Sequence, residues 1–398
     1  MKRFSSEFIE QVRQANDIVS VISDYVSLNR RGRNFWACCP FHNEKTASFS
    51  VTADKGFFYC FGCHAHGDVF QFIMKKENLS FSDAVERLAE RAHIALPVVE
   101  RSAEEMARDK LRDRLYEINE MAGNFFHNCL VKTHYGEPGL AYFHKRHVSD
   151  DTIDAFKLGF APDSWDKLTG AFMKKGVTGK ELVALGLAKE KNGHFYDAFR
   201  GRVMFPIRDG RSRIVGFGGR VLDDSKPKYL NSPETPIFNK RRLLFAMDIA
   251  HKAIFEEGKA VLVEGYMDVI SAHNRGIHNV VASLGTSFTD EQARLLQRQA
   301  KELVLAYDMD GAGRQATQRA MTIVRGLGMR IRILSLPQGK DPDEYINAAG
   351  PEKFRDAVND APNVLDYMLT RALSLYDAAT LEGKSAITAM VLPVVAAV

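Results

Sequence analysis

Acidic clusters at the ends of predicted strands are the chemistry most visible in this chain: Glu264, Asp308 with Asp310, and Asp341 with Asp343. Carboxylates gathered at one point repel by about 4 kcal/mol per pair, at roughly 4 Å and an effective dielectric near 20. A fold that gathers them therefore holds a cation. Oxygen ligands with no neighbouring His or Cys point to Mg²⁺, which commonly shares its coordination sphere with substrate phosphates.

The elements around these acids are readable. Val261-Leu262-Val263 is a short apolar run that ends on Glu264 and meets Gly265, which reads as a buried strand entering a turn. Tyr266 to His273 reads as helix and Val280 to Leu284 as strand. Thr289-Asp290-Glu291-Gln292 has capping-box form and opens an amphipathic helix through Ala300. Leu303 to Tyr307 is the next strand and runs into Asp308-Met309-Asp310. Side chains two apart on an extended backbone share a side, so both aspartates face one way and Met309 the other. A helix from Arg314 to about Arg325 and a strand from Arg330 to Leu336 follow. The alternation predicts a parallel sheet with right-handed crossovers, whose ligands sit beyond the carboxyl ends of the strands. Each acid also has a plainer reading as a helix N-cap or turn residue, Asp341 before Pro342 included. Asp268, four residues beyond Glu264, reads equally as a neighbour of the cluster or as a structural residue.

Glu264-Gly265-Tyr266-Met267-Asp268, Asp308-Met309-Asp310-Gly311-Ala312-Gly313-Arg314 and Asp341-Pro342-Asp343 resemble the motifs of the Toprim fold. That fold is shared by primases, topoisomerases, recombination mediators and some nucleases. Met309 stands where the fold commonly has a small residue, so the side facing away from the metals must house a thioether.

Cys39-Pro40-Phe41-His42 and Cys60-Phe61-Gly62-Cys63 are two knuckles with 17 residues between them. The spacing predicts one structural Zn²⁺ held tetrahedrally by Cys39, His42, Cys60 and Cys63. Cys38, His64 and His66 adjoin this set; Cys39 is preferred because it makes a compact knuckle with Pro40 and His42. Ser48 to Val51 and Phe57 to Tyr59, around Asp54-Lys55-Gly56, read as a hairpin, and the unit as a zinc ribbon. Cys129 stands alone and reads as a buried apolar residue. A disulfide reading has no support, because the N-terminus carries no signal peptide and no run is long enough to span a membrane. The expected location is the cytoplasm.

Phe35, Trp36, Phe49, Phe57, Phe58 and Tyr59 interleave with Arg30, Arg31, Arg33, Lys45 and Lys55. This pattern suits single-stranded nucleic acid, by base stacking of about 1–3 kcal/mol per base plus charge. At least half of those rings must instead fill the ribbon's small core. Residues 101–110 are mostly charged or Ala and read as a solvated helix or linker. Residues 200–242 carry eleven Lys or Arg against four Asp or Glu, a local +7 where the whole chain has +4. Such a run is ordinarily a solvated face, yet its short strands and Gly-rich turns stand beside acids suited to phosphate chemistry.

With these pieces, including the helix-like Phe8 to Tyr25 and the basic step Arg30-Arg31-Gly32-Arg33, nearly all of the chain resembles the bacterial replicative primases. The resemblance implies an α/β multidomain fold. Its expected parts are a zinc ribbon (1–100), a linker (101–112), a basic α+β half of an RNA polymerase core (113–257), a Toprim catalytic subdomain with a Rossmann-like parallel sheet (258–342), and a helical segment (343–398) that looks truncated. It also implies a DNA-directed RNA polymerase that makes short RNA primers on single-stranded DNA from ribonucleoside triphosphates, by two-metal nucleotidyl transfer. Glu264, Asp308 and Asp310 are the implied catalytic residues. Two or more Mg²⁺ are expected on Glu264, Asp308, Asp310, Asp341 and Asp343, with Mn²⁺ able to substitute; Glu264 is either a ligand or a proton acceptor. Arg200, Arg202, Arg220, Lys228, Tyr229, Asn231 and Lys240 are carried over as DNA- or nucleotide-binding residues.

The partners implied are template, nucleotides, single-stranded DNA-binding protein and a replicative helicase, the last through a C-terminal domain absent here. The protein is expected to be monomeric and to work at the replication fork. Gly383-Lys384-Ser385 lacks the spacing and the strand of a phosphate-binding loop. Two rivals remain: a topoisomerase, for which Tyr307 and Tyr345 are poorly placed nucleophiles, and a non-enzymatic recombination mediator, which would not need the basic half.

Overall fold

The computed structural model describes residues 4–77, 79–97, 102–285, 287–307, 317, 319–324, 326–336 and 341–395. The chain forms two compact units, Met1–Glu104 and Glu105–Val398.

The first unit opens with helices α1 (Ser6–Ala15) and α2 (Ile18–Ser23) where the sequence suggests one helix. The break lies at Asn16-Asp17. The Asn16 amide donates to the Val12 and Leu88 carbonyls at 2.8 and 2.9 Å, and Asp17 restarts the helix by accepting from the Ser20 N–H. An antiparallel meander follows: β1 (Asn29–Arg31), β2 (Asn34–Ala37), β3 (Phe49–Thr52), β4 (Phe57–Cys60) and β5 (His66–Gly67). The β3–β4 connection closes on Gly56 at φ +58°, a conformation that favours glycine. Helices α3 (Val69–Glu77) and α4 (Phe81–Arg91) complete the unit. Phe49, Phe58 and Phe72 are fully buried and share one apolar cluster with residues of all four helices.

Helix α5 (Ala103–Lys132) opens the second unit; its charged first turns are exposed, and from Leu115 onward one face of it is buried. The stretch read as a linker or solvated helix is thus helical over residues 103–112. Helices α6 (Glu137–Lys145) and α7 (Asp150–Phe156), strand β6 (Gly159–Ala161), helices α8 (Lys167–Met173) and α9 (Gly179–Ala184) and the hairpin β7 (Ala188–Lys191), β8 (His194–Asp197) lead into the basic segment. There β9 (Arg202–Arg208), β10 (Ile214–Val221) and β11 (Tyr229–Asn231) form an antiparallel sheet in the order β11-β10-β9-β6.

After α10 (Met247–Glu257) the chain alternates through β12 (Lys259–Val263), α11 (Tyr266–Asn274), β13 (Val280–Ala282), α12 (Asp290–Gln297), β14 (Glu302–Leu305) and β15 (Arg330–Ile333). These strands make a parallel sheet in the order β13-β12-β14-β15. Residues 260–263 of β12 are wholly buried, as a strand covered on both faces requires. Because β13 lies on one side of β12 and β14 on the other, the chain reverses its winding beside Glu264. The Thr289–Gln292 capping box is present, though its helix ends at Gln297. Helices α13 (Pro342–Ala349), α14 (Pro351–Asp360), α15 (Val364–Leu375) and α16 (Leu381–Val395) follow.

One apolar cluster contains Val203, Phe205, Ile207 and Val215 of the antiparallel sheet together with Val261, Val263, Val280 and Val304 of the parallel one. The two halves of this unit therefore share a core. Among the described residues no helix is long and apolar enough to cross a membrane.

Candidate metal centres and nucleotide-binding cleft

In the first unit the two knuckles meet. The ligand atoms of Cys39, His42, Cys60 and Cys63 all lie within 4.8 Å of one another. Cys39 Sγ and Cys63 Sγ are 3.8 Å apart, as are Cys60 Sγ and His42 Nδ1. Sulfurs placed tetrahedrally about 2.3 Å from zinc are separated by about 3.8 Å, so the cluster fits this ion. Around it, Phe41 N–H donates to Cys39 Sγ and Cys63 N–H to Cys60 Sγ, each at 3.4 Å. Glu44 lies 3.2 Å from His42 Nε2 and accepts the Cys39 N–H at 2.6 Å. A carboxylate on the far nitrogen fixes the ring with Nδ1 toward the metal position. Cys38 is exposed outside the cluster, and His64 is engaged through Nδ1 with the Tyr59 hydroxyl. Cys129 is buried, which pushes its thiol up to about 11 and leaves it a poor nucleophile.

On the same unit, Trp36 stacks on Phe61 at 5.9 Å, and Tyr59 meets Phe61 edge-on at 4.9 Å. Arg30, Arg31 and Arg33 are exposed on and beside β1. Phe49 and Phe58 go to the core, as a small ribbon demands.

In the second unit, a cleft of about 350 Å³ opens at the carboxyl end of β12. Glu264, Asp268 and Asp341 contribute its acids; Arg146, Arg220, Lys228, Tyr229 and Asn231 come from elsewhere on its lining. Asp268 accepts the Gly265 N–H at 2.9 Å and the Asp343 N–H at 3.2 Å, so it caps α11 while lining the cleft. Tyr307, the last described residue before Asp308, has its phenol pushed up by burial and by the nearby Glu264 charge. Asp308 and Asp310, with Met309, lie outside the described residues. Among the described residues, the cleft carboxylates do not close to the spacing seen in the zinc cluster.

The basic side of the cleft is built on aromatic rings. Arg220 stands 4.9 Å from the Tyr142 ring and 5.6 Å from that of Tyr229, and its Nη1 donates to the Tyr142 hydroxyl. Burial raises the Tyr229 phenol, with the Arg220 charge opposing it. Asn231 joins both sheets: its Oδ1 accepts from the Tyr266 hydroxyl at 2.9 Å and its Nδ2 donates to the Leu284 carbonyl at 3.1 Å. Tyr266 stacks on Phe205 at 4.9 Å and 6°.

Other expected residues sit elsewhere. Arg202 is buried, and its Nη1 donates to the Gly219 and Pro227 carbonyls at 3.2 and 3.0 Å, which ties down the β10–β11 connection. Arg200 packs 4.1 Å over the exposed Trp165 ring. The Lys240 backbone joins Glu234 and Gln292, away from the cleft lining. Asp341 is the N-cap of α13, accepting from the Glu344 N–H at 2.7 Å. Asp343 is buried beside Arg146, Ser271 and Asn347 rather than on the cleft.

Three family models match the chain: a CHC2 zinc finger over residues 4–104, the N-terminal domain of a DNA primase catalytic core over 125–251, and a Toprim-like domain over 261–346. A DNA primase of Deinococcus radiodurans is 45% identical over 377 residues, 94% of this chain and 64% of the relative. That of Pseudomonas aeruginosa is 40% identical over 393 residues, 97% of this chain and 59% of the relative. The crystal structure of the Aquifex aeolicus primase zinc-binding and RNA polymerase domains aligns with a TM-score of 0.61 and 34% identity, covering 93% of this chain and 89% of that one. The chain belongs to the bacterial DNA primase family. It spans about three fifths of the length of the curated relatives it matches. A DnaG primase catalytic domain bound to single-stranded DNA aligns with a TM-score of 0.65 and 35% identity, covering 73% of this chain and 94% of that chain.

Sequence reasoning missed Arg146, which lines this primase-family cleft, and Tyr142, whose ring carries the cleft's Arg220. Both lie in or just after α6, in a stretch whose ordinary mix of apolar and basic residues gives no motif. The run His144-Lys145-Arg146-His147 is the one signal available, and a short basic run is usually solvated.

Proposed function

We propose that this chain synthesises short RNA primers on single-stranded DNA, joining ribonucleoside triphosphates by attack of a 3′-hydroxyl on an α-phosphate with release of pyrophosphate. The observation that carries this reading is the composition of one cleft: Glu264, Asp268 and Asp341 facing Arg146, Arg220 and Lys228. An all-carboxylate donor set suits Mg²⁺ or Mn²⁺, and Glu264 and Asp341, joined by Asp308 and Asp310, are the residues proposed to hold it. Divalent ions bound there would lower the cost of charge on the attacking and leaving oxygens. Arg220 and Lys228 would neutralise the triphosphate, and Tyr229 and Asn231 would fix its orientation.

The aromatic and basic sheet face of the zinc-bearing unit, with Trp36, Tyr59 and Phe61, is proposed to hold template bases. Structures of relatives with single-stranded DNA and with duplex DNA carrying a 6-nucleotide overhang support a nucleic-acid template. In this setting the protein works in the cytoplasm at a replication fork, with a replicative helicase and a single-stranded DNA-binding protein as partners.

The test is a synthesis assay with single-stranded DNA, labelled ribonucleotides and Mg²⁺. Short RNA is the expected product. DNA binding with no polymer would favour a recombination mediator, and a covalent protein–DNA adduct would favour a topoisomerase.

A further inference from the structure

Arg146 stands between two cavities. It lines the acidic cleft and also a second space of about 520 Å³ bordered by Tyr142, Lys145, His147, Asp343 and Asn347. Its guanidinium lies 5.3 Å from the Tyr142 ring, whose other cation is Arg220 at 4.9 Å. Two guanidiniums on one ring, with Lys228 on the same cleft, repel one another. A long side chain in that position, with open space behind it, swings away unless an anion holds it.

The anion is Asp343. Its side chain is 2% exposed, and its Oδ2 accepts from Arg146 Nη1. Its Oδ1 accepts from the Ser271 hydroxyl and from Asn347 Nδ2, the latter at 2.8 Å. The carboxylate is thus fixed by α11 and α13 and spends both oxygens inside the protein. It lines the second cavity and not the acidic cleft. Burial works against the Arg146 charge, yet Tyr142 and Asp343 keep its pKa above the ordinary arginine value.

From this geometry we infer that Asp343 is a positioning residue: it anchors Arg146 at the rim of the cleft so that the free edge of the guanidinium meets the nucleotide's phosphates, and it is not a ligand of the divalent metal. A guanidinium carries five N–H donors, so engagement of Nη1 by Asp343 is compatible with a phosphate on another edge. The inference rests on the nucleotide-binding reading of the cleft given above.

The test is a double-mutant cycle on the full chain with Asp343→Asn, Arg146→Gln and the pair. It reads ATP affinity by calorimetry in Mg²⁺, the KM and kcat for primer synthesis, and the Mg²⁺ concentration giving half-maximal synthesis. Asp343→Asn is expected to weaken ATP binding about tenfold and to raise KM more than it lowers kcat, with the Mg²⁺ midpoint unchanged. The double variant is expected to lie within about twofold of Arg146→Gln alone. A tenfold rise in the Mg²⁺ midpoint would overturn the inference in favour of a metal ligand, and so would fully additive losses. Unchanged ATP affinity would reduce Asp343 to a structural role.

Should Asp343→Asn fail to fold, Asn347→Ala removes one hydrogen bond from the same carboxylate. It must then show a smaller loss in the same direction, and no loss rejects the anchor. The calorimetric cycle stands even if the wild-type chain makes no RNA, so failure of the synthesis reading and failure of the anchor are separable.

Discussion

His273 lies inside α11 with its ring edge-on to Phe156 at 5.3 Å and its Nε2–H donating to the Val280 carbonyl at 2.9 Å. Burial pushes this imidazole down from 6.5 to about 4. A histidine held neutral in the fold is protonated first in the unfolded chain, so its stabilisation is complete above pH 6.5 and is lost as pH falls toward 4. From pH 7 to pH 5 the loss is about 2 kcal/mol, at 1.36 kcal/mol per pKa unit. Urea unfolding of the larger unit at the two pH values should show it, and His273→Gln should flatten that slope. An equally steep slope in the variant would place the acid sensitivity elsewhere.

The same scale explains which site residues the sequence made readable. Glu264 could be found because a strand ended on it, and the zinc cluster because its ligands sit in two compact knuckles. Asp341 and Asp343, two apart in the sequence, part company in the structure. Two residues apart, side chains share a side on a strand, but on a helix they are separated by about 200°. Asp341 caps α13 toward the cleft while Asp343 turns into the protein. Arg202 belongs to a basic block whose charge pattern cannot distinguish an outward arginine from one that braces three backbone carbonyls.

Among the elements, β10 depends on a close approach that the sequence presents only as a Gly-rich turn. Gly218 lies in the strand, and a Cβ there would come within 2.6 Å of the Tyr266 ring. The ring is held on its other contacts by Phe205 and Asn231, so it cannot yield cheaply. Gly218→Ala is therefore expected to cost roughly 1–3 kcal/mol as overpacking and to weaken nucleotide binding, because Asn231 shares that ring's hydroxyl. Thermal unfolding and ATP titration check both effects; a stable variant with normal binding would show that the ring has room to move.

The parallel alternation after Lys259 was legible because β12, β13 and β14 are short apolar runs separated by helical patterns, β12 ending on Glu264. The break between α1 and α2 was not. It depends on an Asn16 amide reaching Leu88, 72 positions away, which no local pattern reports.

At the scale of the whole molecule, the two units have separate apolar clusters, and only the first carries the Cys₃His group. Zinc binding of this type contributes about 10–16 kcal/mol to folding. Chelation should therefore abolish the unfolding transition of the first unit and leave that of the second in place. Calorimetry with and without chelator reads this directly, and loss of both transitions together would mean that the units fold as one.

The core shared by the two sheets of the larger unit has a mechanical consequence. Valines from both sheets and Phe205 of the antiparallel one belong to a single apolar cluster, and Asn231 ties β11 to Tyr266 and Leu284 on the other side of the cleft. A core common to both sheets favours a slot in a single block over a jaw with a hinge. Whatever enters such a slot must be matched by the reach of the side chains that line it, because the shared core leaves the two sheets little freedom to part.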